Sequence, residues 1–291
     1  MKHEKERIDN FVFWDELVAE SKIGDNGGVV KHFHPVSFVG NMLESTGGAV
    51  CKKCGKNISL TLALVRKFVG SAVSDEFLTE FTTKANEIFP KYGVNTCSQV
   101  VHILGQGKHE TKRFTAFRES LNYTRRSYTA ERLYRMAPTA IDNGFRRLGM
   151  NLTRAQKIVY VDQHLIGNDA GYGKHSFGSS DYPDNDYRGR GLLHLTHYET
   201  YHKCALAIGA NIDANPALVE TDTKVIIETG AWFWKQNSIG NIADDNAIAI
   251  DAKIRAVTAK INSGLKGLDE RIEFTKEILA VFKAELNSCA E

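Results

Sequence analysis

Two carboxylates stand near each other in the chain: Glu110, in His109-Glu110-Thr111, and Glu119, in Glu119-Ser120-Leu121-Asn122-Tyr123. Two carboxyl groups can cleave a glycosidic bond between them. One stays protonated and gives its proton to the leaving oxygen; the other is ionised and takes a proton from the attacking water. Nine residue steps separate Glu110 from Glu119. On one straight helix, nine steps of about 100° would put the second group on the opposite face, about 13.5 Å along the axis. That arrangement cannot grip one bond. If both groups act, the helix carrying Glu110 must end soon after it and the chain must turn back. A carboxyl separation of roughly 6.5–9.5 Å would then admit a water and imply inversion at the anomeric carbon. Taken alone, the pair reads more readily as two solvated surface glutamates.

The elements that would position the pair read as mainly α. Residues 57–68 begin a helical pattern. Ser74 has the character of an N-cap, and Phe77, Leu78, Phe81, Ala85 and Ile88 follow at three- and four-residue steps until Pro90 and Gly93. Residues 96–109 form a second helix candidate, leading to Glu110. Residues 114–128 have no 3.6-residue period and suit a turn or small hairpin. Thr129 can cap a helix over 130–136. Residues 169–187, rich in Gly, Ser, Asp and Tyr, read as a long surface loop. Residues 191–208, 222–236, 244–261 and 267–286 read as helices. Trp232 and Trp234, at helical spacing, favour the core over a sugar platform.

The run His109-Glu110-Thr111-x-x-Phe114, then Glu119-x-x-Asn122-Tyr123, resembles glycoside hydrolase family 19, the plant-type chitinases and many phage endolysins. Four further segments follow in the family's order. They are Gly167-Asn168; Tyr187-Arg188-Gly189-Arg190-Gly191-Leu192-Leu193-His194-Leu195-Thr196; Asn215-Pro216 with Ala231-Trp232-Phe233-Trp234; and Val257-Thr258-x-x-Ile261-Asn262-Ser263-Gly264 with Arg271. The resemblance implies a lysozyme-like helical fold with a small hairpin or loop region beside the cleft. It implies Glu110 as general acid and Glu119 as general base. Substrate-binding or cleft-supporting roles fall to Ser120, Tyr123, Asn168, Arg190, His194, Asn262 and Arg271, the last as a buried Arg near the acid. Three positions depart from the pattern. His194 stands where the family has Gln, His197 where Gly is common, and Ser263 replaces the first Gly of Asn-Gly-Gly; these put the sugar preference in doubt. The short spacing between motifs is closer to the lytic members and favours peptidoglycan over chitin.

Composition narrows the class. The 291 residues are 42% hydrophobic and 25% charged, with 37 basic against 35 acidic residues and a net charge of +2. No global basic field of the nucleic-acid-binding kind exists, and no apolar run reaches the roughly 18 residues of a membrane span. Residues 1–7 are charged with no apolar run after them, so no standard secretory signal is expected. Five cysteines, Cys51, Cys54, Cys97, Cys204 and Cys289, argue against a dense disulfide framework and for synthesis in the cytoplasm with reduced thiols. Cys97 reads as core. The proposed chemistry needs no metal or other cofactor. Cys51-Lys52-Lys53-Cys54-Gly55 resembles half a zinc knuckle, which His32 and His34 would complete; the alternative is two small buried residues flanking a turn.

These readings give a lead-in module over 1–56 and a lysozyme-like hydrolase over 57–291. The expected activity is cleavage of the β-1,4 bond between N-acetylmuramic acid and N-acetylglucosamine in peptidoglycan. A chitinase and a catalytically inactive glycan-binding module are the alternatives. The stretch Lys31-His32-Phe33-His34-Pro35-Val36-Ser37-Phe38 resembles linkers before lytic domains of type VI secretion effectors. That resemblance implies an antibacterial toxin acting in the periplasm or cell wall of a target cell, with a secretion carrier and an immunity protein as partners; release of a phage endolysin is the other route.

Overall fold

The structure, a computed structural model, describes residues 49–290. The rest of the expected lead-in, including His32 and His34, lies outside the described residues. Residues 49–56 were expected to close that lead-in. They belong instead to the unit Gly47–Glu291, because Cys51 is packed into the main core and Val50 bridges Asn57.

The described residues are mainly helical, as expected, with strand pairing limited to isolated bridges. Helix α1 is Leu62–Arg66, shorter than the pattern over 57–68 predicted, with Thr61 capping it. Helix α2, Asp75–Ile88, starts where Ser74 accepts the Phe77 N–H, and a 3-10 turn, Phe89–Tyr92, ends at left-handed Gly93. Helix α3, Cys97–Glu110, begins at Thr96, which accepts the Gln99 N–H, and every residue from Cys97 to Lys108 is buried. This helix is the axis of the main core. Helix α13, Leu268–Leu286, packs along it, while α10, Thr223–Gln236, packs on α2. Trp232 and Trp234 are both buried, in agreement with their reading as core.

A second cluster is built from α4, Ala130–Met136, capped by Thr129 as expected, with α5, Pro138–Arg147, α6, Arg154–Tyr160, and α7, Asp169–Phe177. Leu133, Ile141, Phe145, Val161, Leu165 and Tyr172 fill it. A third joins α8, Tyr198–Ile208, and α9, Leu218–Thr221, to α10 through Tyr201, Cys204, Val219 and Trp232. Helices α11, Ile239–Ala243, and α12, Ile250–Ile261, complete the shell around α3.

Three expectations need correction. Residues 169–187 are not one loop: α7 occupies the first half, where Asn168 caps the helix and glycines 171 and 173 let the side chains of Asn168 and Arg188 lie against the backbone. Those glycines hid the helix. The helix expected over 191–208 begins only at Tyr198, because Gly191, His194 and His197 adopt positive φ of 83°, 50° and 73° and fold the preceding segment into a turn. The helix expected over 244–261 starts at Ile250. Helices α5 and α6 were not anticipated.

Helices α3 and α13 approach closely at Gly105, where a Cβ would sit 2.9 Å from the Thr275 Cα. Gly105→Ala should therefore destabilise the fold by about 1–3 kcal/mol despite alanine's better helix propensity. Urea titration checks this: an unchanged or higher midpoint would contradict the tight α3–α13 contact.

Candidate active site

Helix α3 stops at Glu110 for local reasons. The Thr111 hydroxyl donates to the Gly107 carbonyl at 2.6 Å and accepts the Phe114 N–H at 2.9 Å. Lys112, Arg113 and Phe114 then take φ of 49°, 62° and 64°, a run of left-handed residues that reverses the chain. Phe114 is buried with its ring 5.5 Å from that of Phe81 and anchors the reversal. The returning segment runs beside residues 189–191. Glu119 N–H donates to Gly189 O, Gly191 N–H donates to Phe117 O, and Arg190 bridges both Arg118 and Leu195. The required end of the helix and the turn after it are thus both present.

The Glu110 carboxyl is clamped from two other segments. Arg271, in the first turn of α13 and only 1% exposed, donates from Nη2 to Glu110 Oε1 at 2.5 Å. Its Nη1 donates to Gln106 Oε1 at 2.8 Å, and its Nε to the Lys266 carbonyl at 3.1 Å. Gln106 is fully buried one turn before Glu110 and donates in turn to Thr258. On the other side, His194 Nδ1 lies 3.1 Å from Glu110 Oε2. The left-handed backbone of His194 aims the ring there, and Gly189 leaves the space: a Cβ on it would sit 3.1 Å from His194 Cβ. Burial pushes the Glu110 carboxyl up, but the His194 hydrogen bond and charge, followed by Arg271, outweigh it and hold the group at about 2. In the free protein Glu110 is therefore ionised at neutral pH.

Glu119 is half-buried, and a separate ion network fixes the backbone around it. Arg188, 1% exposed, pairs with Asp169 at 2.6 Å and Asp186 at 2.8 Å, and reaches the Glu119 carbonyl at 3.4 Å. Asp169 Oδ1 accepts the Leu121 N–H at 2.7 Å. Arg190 pairs with Asp186 at 3.0 Å and Glu220 at 3.5 Å. Burial and these charges give Arg190 a supporting position in this network rather than a surface on the cleft. Asp169, Asp186, Glu220 and Gln106 were not singled out from the sequence; the one signal was the alternation Asp186-x-Arg188-x-Arg190, which places three charges close along one extended segment.

The other expected site residues divide. Tyr123 is half-buried between Tyr128 and Tyr172, each ring 5.1 Å away, and its phenol is pushed up to about 12 by burial and then by Glu119. It therefore lies within electrostatic reach of the expected base. Ser120 is exposed beside Glu119. The Asn168 amide is engaged in capping α7, accepting the Gly171 N–H and donating to the His164 carbonyl, which makes it structural. Asn262 ends α12, and its Oδ1 accepts the Gly264 N–H at 3.1 Å. A polar depression of about 650 Å3 lies elsewhere, at the ends of α5 and α7, lined by Arg146, Arg147, Ser179 and His197; neither Glu110 nor Glu119 lines it. Asp181 and Glu199 also line this depression, but neither is clamped as Glu110 is by Arg271 and His194.

The chain is similar to several known proteins. A family model described as chitinase class I matches residues 153–250, which include Arg188, Arg190 and His194 but neither glutamate. A glycosyl hydrolase family 19 domain-containing protein of Haemophilus influenzae is 26% identical over 189 residues, covering 64% of this chain and 80% of that protein. An endochitinase of Solanum tuberosum is 40% identical over 52 residues, 18% of this chain and 16% of that protein. The chain thus spans under a fifth of that plant relative. Among solved structures, chitinase C from Streptomyces griseus aligns over 77% of this chain and 76% of its own at 18% identity and a TM-score of 0.42. A bacterial family 19 chitinase aligns over 76% and 95% at 19% identity and a TM-score of 0.41.

Two outcomes follow from the clamp and the network. Arg188→Met should cost about 3–5 kcal/mol, since it leaves Asp169 and Asp186 without their buried partner; a loss under about 1 kcal/mol in denaturant titration would remove the network's positioning role. His194→Gln removes the chief lowering influence on Glu110, so its carboxyl should titrate at higher pH. The sign for stability is that of a depressed acid. The clamp's contribution is complete above about pH 4.3, the ordinary glutamate value, and is lost as pH falls toward about 2. Carboxyl-detected NMR titration of the two proteins checks the shift, and coincident Glu110 titrations would contradict it.

Proposed function

We propose that the chain is a glycoside hydrolase of the family 19 kind whose substrate is the glycan strand of peptidoglycan, cut with inversion at the β-1,4 bond between N-acetylmuramic acid and N-acetylglucosamine. The observation that carries the acid/base reading is the largely enclosed Glu110 carboxyl held between Arg271 and His194, with Glu119 returned beside residues 189–191.

The free-state ionisation of Glu110 sets a requirement on the mechanism, because a general acid must carry a proton when it acts. His194 Nδ1 faces Glu110 Oε2 at 3.1 Å and is placed to relay a proton from solvent to that oxygen as sugar binds, while Arg271 keeps its bonds to Gln106 and the Lys266 carbonyl. Glu110 then protonates the leaving oxygen. Glu119 deprotonates a water on the far face of the ring, which is attack with inversion.

The substrate choice rests on charge. The segment that returns Glu119 to the site carries Lys112, Arg113, Arg118, Arg125 and Arg126, all exposed, against Glu119 within it and the outside partners Glu220 of Arg118 and Asp162 of Arg125. A basic rim raises the local concentration of an anionic polymer. Peptidoglycan bears lactyl and peptide carboxylates, whereas chitin is neutral. The plant endochitinase similarity favours chitin as the second reading.

The test compares purified peptidoglycan with chitin oligomers and identifies the reducing-end sugar of the fragments by mass spectrometry. Muramic acid at the new reducing end, with Glu110→Gln slower by at least about a hundredfold, is the expected result. Release of N-acetylglucosamine oligomers from chitin alone would reverse the substrate order. Neutralising Arg125 and Arg126 together should raise KM for peptidoglycan and flatten its salt dependence while leaving chitin oligomers unaffected; equal effects on both would remove the charge argument.

A further inference from the structure

Four of the five cysteines converge at a place remote in sequence from the glutamates' own segment. Cys51 and Cys54 lie on a tight turn closed by Val50 bridging Asn57, in which the Cys51 N–H donates to the Lys56 carbonyl, the Gly55 N–H donates to the Cys51 carbonyl, and Gly55 takes a φ of 69°. Cys97 is the first residue of α3, and its N–H donates to Cys51 Sγ at 3.3 Å. Cys289 follows the end of α13. All four sulfur atoms lie within 4.8 Å of one another, with Cys51 Sγ 3.6 Å from Cys289 Sγ and Cys54 Sγ 3.7 Å from Cys97 Sγ.

We infer that Cys51, Cys54, Cys97 and Cys289 form a structural zinc site. A zinc ion takes four thiolates in a tetrahedron with bonds of about 2.3 Å, which places the sulfurs about 3.8 Å apart. The two closest pairs stand at that spacing, well outside the roughly 2.05 Å of a disulfide. Cys51 and Cys97 are buried while Cys54 and Cys289 are half-buried, so the shell is closed on the protein side with an edge through which an ion can enter. A shell of four thiolates leaves no open coordination position, which makes the site structural and not catalytic. Lys52, Lys53 and Lys56 lie on the same turn. The zinc-knuckle half read from the sequence is thus completed by Cys97 and Cys289.

The site joins the start of the hydrolase unit, the first turn of α3 and the tail after α13. Those two helices carry Glu110 and Arg271, the partners of the acid clamp. Closing such long chain segments with one ion restricts the unfolded state strongly, so metal binding is coupled to folding.

Elemental analysis of the untagged protein, purified without chelator, should find one zinc per chain. Mass spectrometry without reduction should show all five cysteines free of disulfides once the metal is stripped. Replacing zinc by cobalt should give the sulfur-to-cobalt charge-transfer and tetrahedral ligand-field bands of a four-thiolate shell. Stripping zinc should lower the melting temperature by at least about 10 °C. Because Cys97→Ser can fail to fold, Cys54→Ser, at the half-buried edge, is the working variant: it should bind zinc at least about tenfold more weakly and shift the cobalt spectrum. Cys204→Ser, whose sulfur lies in the third cluster, should keep the metal. Metal-free protein with four freely titrating thiols, a Cys51–Cys289 or Cys54–Cys97 disulfide in the purified protein, iron in place of zinc, or a cobalt spectrum unchanged by Cys54→Ser would each overturn the assignment.

Discussion

The Glu110 carboxyl sits at the end of α3, whose residues Cys97 to Lys108 are all buried, with 12% of its side chain exposed, and a carboxylate so enclosed is tolerated only when its charge is met. Arg271 and His194 meet it from opposite sides, and the requirement that they do so reaches far into the fold. It sets the register of α13 against α3, since Arg271 must reach Glu110 and Gln106 together. It explains the left-handed backbone at His194 and the missing side chain at Gly189, which together bring an imidazole to the second oxygen. The small residue at Gly105 belongs to the same constraint, because it lets α13 come close enough for that reach.

A different kind of positioning serves Glu119. Its own side chain stays half-buried, while its backbone is held by ladder-like bonds to residues 189 and 191 and by the Arg188–Asp169–Asp186 network on either side. One glutamate is thus fixed through its carboxyl and the other through its main chain. In the proposed reaction the first arrangement would control a proton, and the second would leave a carboxylate open to solvent where a water could be activated.

Much of this was legible in the residues. The caps at Ser74 and Thr129 mark helix starts that the structure repeats, because a side-chain acceptor at the N-cap is a local signal. The turn after Glu110 followed from the geometry that a carboxylate pair demands. What stayed hidden depends on contacts between distant segments. Helix α7 is rich in glycine because Arg188 packs against it, so local propensity pointed to a loop. The segment 191–197 is apolar enough for a helix, yet its left-handed residues serve the His194 turn. Whether Arg190 lines or supports the cleft stayed open in the sequence because its two acidic partners, Asp186 and Glu220, lie 4 and 30 positions away and only the fold unites them. The sulfurs of Cys97 and Cys289 are brought to the Cys51-x-x-Cys54 turn in the same way.

The most direct measurement is a crystal structure of the Glu110→Gln protein with a peptidoglycan tetrasaccharide bound. The account places the scissile oxygen within about 3.2 Å of the residue 110 side chain, with a water held by Glu119 on the opposite face of the sugar ring. A tetrasaccharide seated instead in the depression beside Arg146 and Arg147, or bound with both glutamates on the same face of the ring, would contradict it.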